Sequence, residues 1–116
     1  MSTLIQNPGR IRDLSTAMAQ GAITAEALVQ RYLARIAAVD GQVKAWIHVL
    51  ADSALAEARV LDAERKAGML RSPLHGIPVG IKDVIDVRGL PTRRRALRPP
   101  GRYNLDCPCG QNPLLV

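Results

Sequence analysis

Phenylalanine is missing from this 116-residue chain, and one tryptophan and two tyrosines are its only aromatic side chains. A core built from it has few large anchors. Cysteine is nearly as scarce. Cys107 and Cys109 are the only two, too few for the disulfide framework of a small secreted domain. A reducing, cytoplasmic setting is the reading that follows. No apolar run approaches the ~20 residues a membrane-spanning helix needs. The opening Met1-Ser2-Thr3-Leu4-Ile5-Gln6-Asn7-Pro8 has neither the basic start nor the apolar centre of a secretory signal.

What the chain has in excess is positive charge. A net charge of +6 and a pI near 10.2 ordinarily raise nucleic acid as a partner. The excess is unevenly placed, however. Residues 1–92 carry 11 Lys and Arg against 9 Asp and Glu, while residues 93–116 carry five Arg against one Asp. That last stretch also holds four of the eight prolines and both cysteines, with no Ser, Thr, Lys, Glu or His. The composition divides the chain near Thr92 into a nearly balanced part, 1–92, and a basic tail, 93–116.

The balanced part reads as helix, helix, short strand, helix, loop, strand. After the turn cluster Asn7-Pro8-Gly9, the residues Ile11, Leu14 and Met18 recur at helical spacing until Gly21. Thr24 is placed to cap a second helix, with Glu26 adding negative charge near the positive end of its dipole. Leu28, Tyr32 and Ile36, with Val29 and Leu33 beside them, give that helix a broad apolar face, and Asp40-Gly41 is its expected end. Ala45-Trp46-Ile47-His48-Val49-Leu50 is rich in strand formers. Residues 52–67 return to helical composition, with Leu55, Ala58 and Leu61 on one face, Arg59, Asp62, Arg65 and Lys66 elsewhere, and Gly68 as the stop.

The segment from Leu74 to Val87 differs in kind. It is a near-continuous β-branched run, the pattern of a strand buried on both faces, yet Lys82-Asp83 stands in its middle. A lysine is almost never buried unpaired, because stripping water from an ammonium is costly. Lys82 therefore reads either as a side chain reaching out to solvent or as a site where a lysine is wanted as a base.

The run Ser72-Pro73-Leu74-His75-Gly76-Ile77-Pro78-Val79-Gly80-Ile81-Lys82-Asp83-Val84-Ile85-Asp86-Val87-Arg88-Gly89-Leu90-Pro91-Thr92 closely resembles the lysine motif of the amidase signature family. Residues 21–36 and 44–50 resemble the helices and the segment that precede that motif, so the likeness covers roughly residues 10–92 in order. The resemblance implies hydrolysis of carboxylic amides by a Ser–cis-Ser–Lys triad on an α/β fold. In such a triad the lysine acts through the middle serine as general base, and the last serine attacks the carbonyl. Lys82 matches the catalytic lysine. Asp83 matches the acidic residue after it, with a supporting rather than proton-transferring role.

The departures are as informative as the match. Both family serines lie in later, glycine-rich motifs, whereas the only serines here are Ser2, Ser15, Ser53 and Ser72. The oxyanion hole belongs to the same later motifs. Arg93-Arg94-Arg95-Ala96-Leu97-Arg98-Pro99-Pro100-Gly101-Arg102 does not continue the family pattern and has the composition of a GC-rich gene read out of frame. The expectation is an interrupted amidase whose Lys82 has no nucleophile to activate.

The remaining features have plain readings. His48 and His75 are better explained as surface or packed residues than as an acid–base pair. Cys107-Pro108-Cys109 supplies two of the four ligands a structural zinc needs, so neither metal nor cofactor is expected. The arginines of the tail have only Tyr103 beside them for stacking and no nucleic-acid motif, so a flexible cationic tail is favoured over a nucleic-acid site. Trp46 and Tyr32 are core candidates.

Together these readings give an α/β class: amino-terminal helices plus the first strands of an amidase-signature-type domain, with an incomplete sheet whose open edges invite aggregation. The function expected is that of an amide hydrolase by family, inactive alone, taking a small amide substrate only when a complementary downstream polypeptide supplies the serines. The other reading is a non-catalytic orphan product or small basic interaction protein. The ending Asp-Val-Arg-Gly-Leu-Pro-Thr leans toward stand-alone amidases over the glutamine-dependent transamidation subunits.

Overall fold

A computed structural model describes residues 10–82 and Ile85. Asp83, the basic tail 93–116, and with it Cys107, Cys109 and the arginine cluster, lie outside the described residues. Three helices are the regular elements among the described residues: α1 (Ile11–Ala19), α2 (Ala25–Val43) and α3 (Ala51–Lys66). None is long and apolar enough to cross a membrane.

Helix α1 ends as its sequence predicts. Gly21 takes φ +72°, and the amides of Ala22 and Gly21 bond back to the carbonyls of Ala17 and Met18 at 2.8 and 3.1 Å. This crossed pair at a left-handed glycine is the Schellman ending. It is repeated after α3, where Gly68 has φ +81° and Met69 and Gly68 donate to Glu64 and Arg65.

Helix α2 begins at its predicted cap and overruns its predicted end. The Thr24 hydroxyl accepts from the Ala27 amide at 3.1 Å. A second acceptor comes from another helix: the Asp62 carboxylate of α3 receives the amides of Ala25 at 2.8 Å and Glu26 at 3.1 Å. Three of the four orphan amides of the first turn are thus satisfied, and a negative charge sits on the positive end of the helix dipole. At the other end, Gly41 stays helical and Lys44 takes the left-handed turn at φ 51°. Asp40 causes the displacement. Its carbonyl accepts from Lys44 at 2.7 Å, and its carboxylate accepts from Ala45 and Trp46 at 2.7 and 3.2 Å.

The core joins all three helices to one loop residue. Leu14 and Met18 of α1, Ala25, Leu28 and Val29 of α2, and Ala54, Ala58 and Leu61 of α3 are buried together with Ile77. Tyr32 and Trp46 pack around them half-buried, as their few-anchor role suggests. The buried stripe of α3 keeps the predicted Ala58 and Leu61 and adds Ala54, while Leu55 packs against it half-buried. Two alanines at the contact let α3 come close to α2.

The two predicted strands are absent among the described residues. Among the described residues, 45–50 and 77–82 form neither helix nor ladder beyond a single bridge at Val79, and the chain bends at Ile47. The α/β class is therefore not realised there, and the part described is helical. The reason is physical: an extended segment becomes a strand only when neighbours take up its amides and carbonyls.

Truncating Leu28 or Leu61, both fully buried, to alanine is expected to lower stability by about 2–5 kcal/mol. Asp62→Ala is expected to cost about 1–2 kcal/mol as a lost helix cap. Urea unfolding followed by circular dichroism measures both.

Candidate functional site

The chain that carries Lys82 leaves α3 through a tightly held turn. Ser72 starts it: its hydroxyl accepts from the Leu74 amide at 3.1 Å and its carbonyl from the His75 amide at 3.1 Å. The serine nearest Lys82 in sequence is thereby committed to shaping a turn.

His75 is buried and both ring nitrogens face backbone groups. Nδ1 accepts the Arg71 amide at 3.1 Å, which leaves Nε2 to donate to the Leu61 carbonyl at 2.8 Å. This arrangement calls for the neutral, Nε2-protonated ring. The packed-residue reading of His75 holds, and His48 is exposed on a separate segment. The two do not form an acid–base pair.

Two arginines fasten this turn to α3. Arg65 Nη2 donates to the His75 carbonyl at 2.9 Å. Arg71 grips Glu64 through two bonds of 2.6 and 2.8 Å, a bidentate geometry that lysine cannot reproduce, and reaches Glu57 at 3.5 Å. The hydrogen bond from Arg71, opposed by desolvation and reinforced by the charge of the arginine, holds the Glu64 carboxyl below its ordinary value. Sequence reading set Asp62 and Arg65 aside as outward polar residues. A helix-capping carboxylate 37 residues away in sequence leaves no local pattern by which to find it.

Beyond His75 the backbone presses against the core. Gly76 has φ +85°, and a Cβ there would lie 3.1 Å from the Ala25 side chain and 3.2 Å from Met18 Sδ. Ile77 is buried next to it. Gly80 lies under Trp46, so close that a Cβ would stand 2.8 Å from the indole ring. Lys82 follows two residues later and is exposed, its carbonyl accepting the Ile85 amide at 2.9 Å. Among the described residues nothing covers it. No group of three His, Cys, Asp or Glu among them is placed to hold a metal.

The turn thus delivers one amine, on a rigidly anchored segment, to an open surface. A protein-family model for amidases matches residues 27–95, a span that takes in Lys82 and the whole anchoring turn. The chain belongs to the amidase family. It is 49% identical over 77 residues to a glutamyl-tRNA(Gln) amidotransferase subunit of Chloroflexus aggregans. It is 49% identical over 80 residues to the corresponding subunit of Thermobifida fusca. Among solved structures it resembles the native peptide amidase of Stenotrophomonas maltophilia, with a TM-score of 0.69 and 40% identity over 74% of this chain. The shared part is small on the other side: 18% of the peptide amidase and 16% of each amidotransferase subunit.

Gly76→Ala is expected to destabilise the chain by about 1–3 kcal/mol, since a left-handed residue and a full contact must both give. Gly80→Ala is expected to displace the ring of Trp46, the only tryptophan, and to shift its fluorescence while helix content is retained. The Arg71–Glu64 clasp sets a pH dependence. A carboxyl held low in the folded state adds stability above its unfolded value, and loses it as pH falls through the folded one. Below the carboxylate range the urea midpoint is expected to fall, and Glu64→Gln is expected to flatten that fall.

Proposed function

We propose that this chain is the lysine-bearing part of an amide hydrolase, with Lys82 as general base, Asp83 supporting it, and the serines contributed by sequence beyond the stretch shared with its relatives. The family match across residues 27–95 carries this reading, because it contains Lys82 within the anchored segment. A lysine accepts a proton only as the free amine, and desolvation is what favours that form. Since Lys82 is exposed here, the rest of an amidase-type domain has two tasks: to cover the amine and to bring the serines to it.

The chemistry then balances simply. Nζ takes a proton from the middle serine as that serine takes one from the nucleophile. The nucleophilic oxygen bonds to the amide carbon, the C–N bond breaks, the amine leaves with a proton, and water cleaves the acyl-serine ester. The same completion gives segments 45–50 and 77–82 strand partners, which is how the α/β class would arise. The match to amidotransferase subunits, 49% identical in two of them, favours, as a second substrate class, the amide donor of an amidotransferase.

The chain alone is expected to release no amine from a peptide amide. Mixed with the part of the Stenotrophomonas peptide amidase that it does not cover, it is expected to support hydrolysis, and Lys82→Ala to lower that rate by about 100-fold or more. Hydrolysis by the isolated chain, or a mixture indifferent to Lys82→Ala, overturns the proposal in favour of a non-catalytic role.

A further inference from the structure

His75 is only 3% exposed, and its two ring nitrogens are committed in opposite senses. Nδ1 accepts from the Arg71 amide at 3.1 Å, and Nε2 donates to the Leu61 carbonyl at 2.8 Å. The neutral ring alone can do both. A proton added at Nδ1 meets the Arg71 N–H, so two donors face each other and the amide loses its acceptor. The same step leaves a positive charge in a buried position, which costs free energy.

The charges around the ring nearly cancel. From α3, Arg65 Nη2 bonds the His75 carbonyl at 2.9 Å, and Arg71 in the turn adds a second guanidinium. The carboxylates of Glu64 and Glu57, also on α3, are held by Arg71 at 2.6 and 3.5 Å. What α1 and α2 bring to the turn at Gly76 is Met18 and Ala25, neither of them charged. The hydrogen bond and the burial therefore decide which form of the ring the closed turn accepts.

The ring is also where the turn is tied down. One nitrogen closes residues 71–75 on themselves and the other joins them to α3. Gly76 and the buried Ile77 follow directly, against Met18 and Ala25. We propose that His75 is a proton-operated latch: the neutral ring holds residues 71–77 on α3, and protonation frees them while the three helices remain. The opened turn binds one proton more than the closed turn, so falling pH favours it. The latch is shut on the alkaline side and open on the acid side. It is a property of the turn, and it holds whether or not Lys82 serves as a base.

The full chain is titrated by NMR between about pH 8 and pH 5, the interval in which histidine is the side chain that changes charge. Ring nitrogen shifts report the tautomer and protonation of His75, and hydrogen exchange reports the Arg71 amide. An Nε2-protonated ring is expected at the alkaline end. As the ring gains its second proton, protection of the Arg71 amide is expected to fall about ten-fold or more, with helical circular dichroism unchanged. His48→Gln, at the other histidine of the chain, and Glu64→Gln are each expected to keep this step, and His75→Gln to remove it. A ring that takes its proton while the Arg71 amide stays protected overturns the proposal. So does a ring that stays neutral until the helices melt, and both of these are read on the unaltered chain. A step lost in Glu64→Gln, which assigns it to the arginine clasp, or one kept in His75→Gln, overturns it as well.

Discussion

The contact on which the architecture depends is the carboxylate of Asp62 seated on the first amides of α2. It links the two long helices end to flank. A helix start left bare near the core leaves amides without partners, and an unpaired buried amide costs more than a hydrogen bond returns. Asp62 removes that penalty and aligns α3 across α2 in one step. Arg59, one turn earlier on α3, holds Glu26 at 2.8 Å, an exposed pair that adds little on its own. Leu61, next to Asp62, lends its carbonyl to His75. The helix pair and the lysine-bearing turn are therefore fixed from adjacent residues of one helix.

That turn shows how a helical scaffold can aim a single amine. His75 fills a buried position without a charge, Arg65 and Arg71 clamp the backbone on either side of it, and Gly76 allows approach to Met18 and Ala25. Each feature restricts the path of the chain before Lys82 without touching Lys82 itself. Under the proposed function, positioning and chemistry are separated along the sequence.

Much of this was legible in advance, and the illegible part has a common cause. Periodicity and capping chemistry located all three helices, because Thr24, Gly21 and Gly68 act on their own neighbours. Lys82 stood out because its charge contradicts its apolar surroundings, and the motif around it pointed to the family now identified. What failed depends on partners distant in sequence or lying outside the described residues. Residues 45–50 and 77–82 have strand composition, but pairing is a property of neighbours, not of composition. Asp62 and Arg65 read as solvent-facing because their partners are Ala25 and Glu26 on another helix and His75 on a loop.

The end of α2 carries a local conflict. Glycine stands inside the helix at position 41, and lysine occupies the left-handed exit at position 44. Helical glycine gives up about 0.5–1 kcal/mol relative to alanine, and a left-handed lysine about 1–2 kcal/mol. An earlier exit through Gly41 is free of both penalties. The Asp40 carboxylate reverses the preference by holding Ala45 and Trp46. One side chain thus arbitrates between two helix endings that differ by most of a turn. The ending it selects sets where Trp46 stands, and so where the ring meets Gly80 on the way to Lys82.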